Sequence, residues 1–266
     1  FRMMRKKKRS DINEEEVTAY TNAILKCIKT YNKGRIFNMD ETPWNFSYRR
    51  GKVLAYRSVE EVNAELPEDL KKQFTVISTI SSDGKKYQPI FLATGTTTRC
   101  EQQFADMKSA ENDYFVYHSG SGKTDDNAMK FYLNKLKIWA KEEECALVLD
   151  QYPSHISDST KEYAEGLNIE LIYIPVSATD IYQPLDKYIF GILKSQASSR
   201  IDDRAFYYPT ALTKSDAVDL FVDLWNDLKL KHVMKAWNTA LPNEERSSSS
   251  STSSVHDDFL KLILTF

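Results

Sequence analysis

CALVLDQYPSHISDSTKEYAEGLNIELIYI, residues 145–174, is the stretch that decides the fold. Cys145 to Leu149 is an unbroken apolar run that stops at Asp150, the pattern of a buried strand. Ser157 to Glu165 reads as a helix, and Ile169 to Ile174 is a second buried strand, closed by Pro175. A further helix opens at Pro184, where proline suits the first turn, and runs through Leu185, Ile189, Ile192 and Leu193. Strands alternating with helices in this way imply a mixed α/β sheet with helices on its faces.

The flanking sequence agrees. Upstream, Asn127 to Ala140 repeats apolar residues at Met129, Tyr132, Leu133, Leu136 and Trp139 in helical register. Gln73–Ile80 and Gln88–Ala93 flank an SSDGKK turn, whose Asp83-Gly84 pair is a strong hairpin signal. Tyr114 to Tyr117 is a candidate short strand, and Arg35 to Met39 another, ending in Asp40. Val17, Tyr20, Ile24, Leu25 and Ile28 mark an amphipathic helix within Asp11–Tyr31. Downstream, Asp216 to Ala240 reads as one long helix or two, and Ser247 to Ser254 as a flexible linker.

Hydrophobic residues are 41% and charged residues 28% of the 266, which supports a real core and excludes a disordered or fibrous chain. Cys27, Cys100 and Cys145 are far apart with no CxxC pair, so neither a disulfide framework nor a structural zinc site is expected. No apolar run reaches the ~18 residues a membrane helix needs, and a soluble, intracellular protein without a membrane partner is expected. The net charge of -2 hides a cluster: six of the first nine residues, FRMMRKKKR, are basic. Such a run fits a nuclear-import or phosphate-binding arm, or a solvated tail. Phe1 in place of Met leads us to expect a fragment.

Three aspartates are candidates for chemistry: Asp40 after RIFNM, Asp150 after CALVL, and Asp186 in the first turn of PLDKYIFGILK. A carboxylate at an element end projects into a cleft and offers the hard oxygen ligands that Mg²⁺ and Mn²⁺ prefer. Each also has a plain reading, since Asp40 fits a turn cap, Asp150 a helix cap, and Asp186 the positive end of a helix dipole. Tyr48-Arg49-Arg50-Gly51-Lys52 interleaves an aromatic with bases, as a phosphate contact or an exposed turn would. SGSGKT at 119–124 is similar to the end of a P-loop, but Tyr117 stands where the motif needs glycine, and Asp125 or Asp126 suits a helix cap instead.

IFNMDETPW (36–44), LVLDQYPSH (147–155) and IYQPLDKYIFGILK (181–194), in that order, resemble the DDE superfamily endonucleases of the pogo/Tigger branch of mariner-like transposases, which includes centromere protein B. The 35 residues between Asp150 and Asp186 agree with that branch, whose third acid is Asp. The resemblance covers about residues 35–240 and implies an RNase H-like fold, a metal-dependent DNA endonuclease and strand transferase activity, and two Mg²⁺ or Mn²⁺ ions. It carries the catalytic and metal-binding roles to Asp40, Asp150 and Asp186, with Glu41, Gln151 and His155 in support. Glu41 reads as a solvated neighbour or turn acceptor rather than a ligand, and His155 as an orienting or a structural residue. Gln151 departs from the family's Asn, which lengthens the amide by one methylene and displaces a supporting hydrogen bond. Arg49, Arg50, Lys52 and Lys187 are the implied DNA contacts.

The domains expected are a basic stub and linker helix (1–34), the RNase H-like catalytic domain (35–200), a helical extension (201–246) and a Ser-rich tail (247–266). Members of the branch carry helix-turn-helix domains upstream, whereas here a basic stub and one helix stand in their place, so DNA binding with little sequence preference is expected. A nuclear location is implied, with a homodimer or a protein supplying the recognition domain as partner. The competing reading is a non-catalytic, domesticated DNA-binding or scaffold protein that keeps the fold.

Overall fold

The computed structural model of the chain describes residues 13–45, 73–95, 113–207 and 212–240. The basic run at 1–9, the Arg49, Arg50 and Lys52 cluster and the serine run at 247–254 lie outside the described residues.

Six strands form a mixed sheet: β1 (Ile36–Asn45), β2 (Gln73–Ser81), β3 (Ile90–Thr94), β4 (Phe115–Ser119), β5 (Cys145–Leu149) and β6 (Ile169–Tyr173), in the order β4-β3-β2-β1-β5-β6. β2 is antiparallel to both β1 and β3, whereas β5 runs parallel to β1 and to β6, and β4 parallel to β3. The turn expected at Asp83-Gly84 forms, with the Gly84 N–H donating to the Ser81 carbonyl at 3.0 Å and Gly84 at a φ of +91°.

The helices are α1 (Glu14–Thr30), α2 (Asp126–Trp139), α3 (Pro153–Ile156), α4 (Asp158–Gly166), α5 (Thr179–Tyr182), α6 (Phe190–Tyr207), α7 (Lys214–Asp227) and α8 (Leu230–Ala240). Local chemistry starts them: Asn13, Asp125 and Ser157 cap α1, α2 and α4, and Thr213 with Asp216 forms a capping box for α7. The segment expected at 216–240 is two helices. The break at Leu228 is held by the Lys86 ammonium, which donates to the carbonyls of Trp225, Asn226 and Leu228 at 2.6, 2.9 and 2.5 Å.

The apolar run of β5 is explained by burial on both faces. Successive side chains of a strand point to opposite sides, and Ala146 and Val148 enter one core while Cys145, Leu147 and Leu149 enter the other. The first core contains residues of α1, α6, α7 and α8, among them Ile24, Leu193, Phe221 and Trp237; the second is closed by Met129, Tyr132, Leu133 and Leu136 of α2 and Ala164 of α4. Trp225 is buried as expected, and Trp139 packs at the edge of the second core.

One expectation about β1 needs correction. The strand does not end at Asp40 but continues to Asn45, because β2 pairs with it all the way from Phe37↔Ser81 to Asn45↔Gln73. Asp40 is a mid-strand residue facing Ser78 across the ladder, and it is buried.

Candidate active site

The alternation along β1 sends Asp40 and Glu41 to opposite faces of the sheet. Asp40 shares its face with Asn38 and Ile36, toward the segment that bears Asp186. Asp150 follows the last residue of β5, the parallel neighbour of β1. Asp186 sits in a π-helical turn (Leu185–Ile189) that precedes α6, in which the Phe190 N–H reaches back to the Leu185 carbonyl. Such turns widen a helix locally and occur often at functional sites.

Asp40 is within the field of the other two aspartates. Burial, and then the charges of Glu41, Asp150 and Asp186, hold the Asp40 carboxyl well above its ordinary value, against the Glu41 N–H that donates to its Oδ1 at 2.9 Å. Desolvation disfavours a buried carboxylate, and like charges nearby disfavour it further. The Ser78 hydroxyl, on the neighbouring strand opposite Asp40, is buried with no hydrogen-bond partner among the described residues. Self-repelling carboxylates beside an unsatisfied hydroxyl make an oxygen-rich donor set that a hard divalent cation fits.

Asp150 behaves differently. Burial pushes it up, but the hydrogen bond and charge of His155 and the Tyr152 N–H outweigh that and bring it below the usual carboxylate range. His155 is 1% exposed, with Nδ1 2.7 Å from Asp150 Oδ1 and Nε2 3.0 Å from Glu41 Oε1. Burial lowers its pKa, yet the hydrogen bonds to Asp150 and Glu41 and their charges prevail, raising it to about 10. Glu41 also accepts from the Thr124 hydroxyl at 2.6 Å. Ligand atoms of Glu41, Asp150 and His155 thus lie within 4.8 Å of one another. Of the two readings of Glu41, solvated neighbour or turn acceptor, the first is set aside, since its side chain is 16% exposed; it is an acceptor, but toward Thr124 and His155 rather than within its own turn.

The other expected residues have definite places. Gln151 donates its amide to the Ile174 carbonyl at 3.1 Å, so its extra methylene carries the hydrogen bond to the end of β6. Lys187 directs its ammonium to the carbonyls of Ile181, at 2.9 Å, and Thr239, tying α5 to α8. Lys194, passed over in the sequence, is the cation that Asp186 and Asp40 act upon: burial lowers its pKa, and those two carboxylates oppose the change. SGSGKT connects β4 to α2: Ser119 donates its hydroxyl to the Lys123 carbonyl at 3.0 Å, and Asp125 caps α2.

Two further residues escaped the sequence reading. Asn38 and Gln183, both fully buried, hydrogen-bond one another at 2.5 Å between β1 and the loop before the π-turn. Only their pattern, single amides within otherwise apolar buried stretches, hinted at them.

Comparison with known proteins gives the family and the fold. The sequence profile of the DDE superfamily endonucleases matches residues 71–248. The chain belongs to the DDE superfamily endonucleases. Asp150 and Asp186 of this DDE superfamily member lie inside the matched region, and Asp40 lies on the strand before it. A mouse protein, "Pogo transposable element with KRAB domain", is 22% identical over 86% of the chain, which spans 37% of that protein's length. The Mos1 strand transfer complex has a TM-score of 0.62 at 15% identity, with 92% of this chain and 63% of the Mos1 chain covered. The mariner Mos1 paired end complex with Mg has a TM-score of 0.61 at 13% identity, covering 90% and 63%. At these identities the likeness is one of fold, and it places the mixed, helix-flanked sheet in the RNase H-like class.

Proposed function

We propose that this DDE superfamily member is the catalytic part of a transposase-derived DNA endonuclease and strand transferase that depends on Mg²⁺ or Mn²⁺. The observation that carries the reading is the buried Asp40 carboxyl under the combined charge of Asp150 and Asp186, from three elements distant in sequence. Asp40, Asp150 and Asp186 would be the carboxylates that hold the metal. Two such ions, when bound, activate a water or hydroxyl and stabilise the leaving oxygen of a phosphodiester.

The chain's own residues prepare that chemistry. β1 holds Asp40 rigidly between paired neighbours, and the Glu41 N–H fixes its Oδ1. Asp186 is exposed and so open to solvent. Hydrolysis of one DNA phosphodiester frees a 3′-hydroxyl, which then attacks a target strand. Lys194 offers a positive charge beside the carboxylates, and Arg49, Arg50 and Lys52 are proposed as phosphate contacts. The Mos1 complexes with transposon DNA and with Mg support the reading by analogy of fold. A nuclear location, with a homodimer or a protein supplying a recognition domain as partner, completes it.

Nicking of supercoiled plasmid by wild type and Asp150→Asn, side by side, tests the proposal, with folding checked by circular dichroism. Nicking that requires Mg²⁺ or Mn²⁺ and vanishes in the variant supports it. Equal nicking by both proteins overturns it, and a metal-bound wild type that never nicks favours the domesticated scaffold.

A further inference from the structure

The carboxylates proposed to hold metal are not equally fixed. Asp40 is set by the strand that carries it, but Asp150 stands past the end of β5, where the backbone pairing that would orient it has stopped. Both of its hydrogen bonds fall on the same oxygen: Oδ1 accepts from His155 Nδ1 at 2.7 Å and from the Tyr152 N–H at 3.2 Å. That pins the rotamer and leaves Oδ2 as the oxygen open to a cation.

His155 is in turn held from the far side. Its Nε2 donates to Glu41 Oε1 at 3.0 Å, the oxygen that also accepts from the Thr124 hydroxyl at 2.6 Å. Tyr173 donates its hydroxyl to the His155 carbonyl at 2.9 Å, which fixes the short helix α3. A carboxylate only accepts hydrogen bonds, so a ring whose two nitrogens both face carboxylate oxygens donates from both. Both ring nitrogens are thus engaged by carboxylates, one on each side of the ring. Glu41 Oε1 accepts from both His155 and Thr124, and Glu41 projects from the face of β1 opposite to Asp40, which separates it from the carboxylate proposed to hold metal.

We propose that Thr124, Glu41 and His155 form a hydrogen-bonded relay that positions Asp150, with His155 a positioning residue and Glu41 its anchor rather than a metal ligand. This rests on the metal-binding function proposed above and assigns a different task to the cluster of Glu41, Asp150 and His155. Outer partners that orient a ligand typically change metal affinity by about 10- to 100-fold when removed.

The experiment is Mn²⁺ binding to the whole 266-residue chain without DNA, measured by electron paramagnetic resonance of free Mn²⁺, with thermal melts as the folding check. His155→Ala is expected to weaken binding about 10- to 100-fold, and Glu41→Ala about tenfold. Glu41→Gln keeps the acceptor oxygen and loses the charge, so it is expected to stay within about threefold of wild type, well inside that range. Should His155→Ala fail to fold, the two Glu41 variants still decide. Glu41→Gln as weak as Glu41→Ala would make the charge, and hence ligation, its role and overturn the relay. Wild-type affinity in His155→Ala or Glu41→Ala would overturn it too while leaving the metal site intact. A wild type that binds no Mn²⁺ removes both the metal site and the relay's purpose, an outcome distinct from the others.

Discussion

Asn38 donates its side-chain amide to Gln183 Oε1 at 2.5 Å and to the Val148 carbonyl at 3.0 Å, while its own Oδ1 accepts from the Leu185 N–H at 3.3 Å. Gln183 Nε2 returns a bond to the Met39 carbonyl at 3.2 Å. Two buried amides therefore clasp β1, β5 and the π-turn, the three segments that end in or carry Asp40, Asp150 and Asp186.

Breaking this clasp from one side should be costly. Asn38→Leu leaves the Leu185 N–H and the Gln183 Oε1 without their partner in the core, and each buried unsatisfied group costs about 1–3 kcal/mol. Urea unfolding of Asn38→Leu, Gln183→Leu and the double variant checks this. The double variant is expected to lose less than the sum of the singles, because contacting residues couple; strict additivity would contradict the shared network.

Asp40 should make the metal-free protein less stable as pH rises. Its folded pKa lies above the unfolded one of about 3.9, so folding favours the protonated form, and stability falls as pH climbs from the unfolded value toward the raised folded one. Asp40→Asn removes that slope and should melt higher than wild type in EDTA, with a gap wider at pH 8 than at pH 5. Divalent metal reverses the order by mass action, adding about 2.7 kcal/mol to wild type at 100 times the Kd and little to the variant. Thermal melts over pH, with EDTA or Mn²⁺, decide; parallel pH curves for the two proteins would sink the account.

Lys194→Ala is expected to weaken DNA binding evenly across sequences and to reduce the salt dependence by about one phosphate contact. Fluorescence anisotropy with two unrelated duplexes at several salt concentrations measures this. An unchanged salt slope would remove Lys194 from the DNA path.

Gly84→Ala should destabilise the fold by about 1–3 kcal/mol, the usual cost of a non-glycine residue held in a strained backbone. Gly84 has a φ of +91°, and a Cβ there would collide with Leu230 at the start of α8. Chemical denaturation is the readout, and a neutral result would mean that the hairpin and α8 separate without cost.

Much of this was legible in the sequence where the physics is local. Cys145–Leu149 read as a buried strand, Asp83-Gly84 as a turn, Asp125 or Asp126 as a helix cap and Ser157–Glu165 as a helix, and each of these forms. The order of the three aspartates was readable as well, because each stands in a distinctive motif. What tertiary structure alone decided was the relation between distant residues. Asp40 is mid-strand because β2, far along the chain, continues the pairing to Asn45. Glu41 meets His155 across 114 positions because strand alternation sends it to the face opposite Asp40, where Asp150's loop folds back. Asn38 and Gln183 satisfy each other only once β1 and the π-turn are in contact. Hydrogen bonds and charges act over a few ångströms of space, and a sequence orders residues along the chain without stating which of them those ångströms will separate.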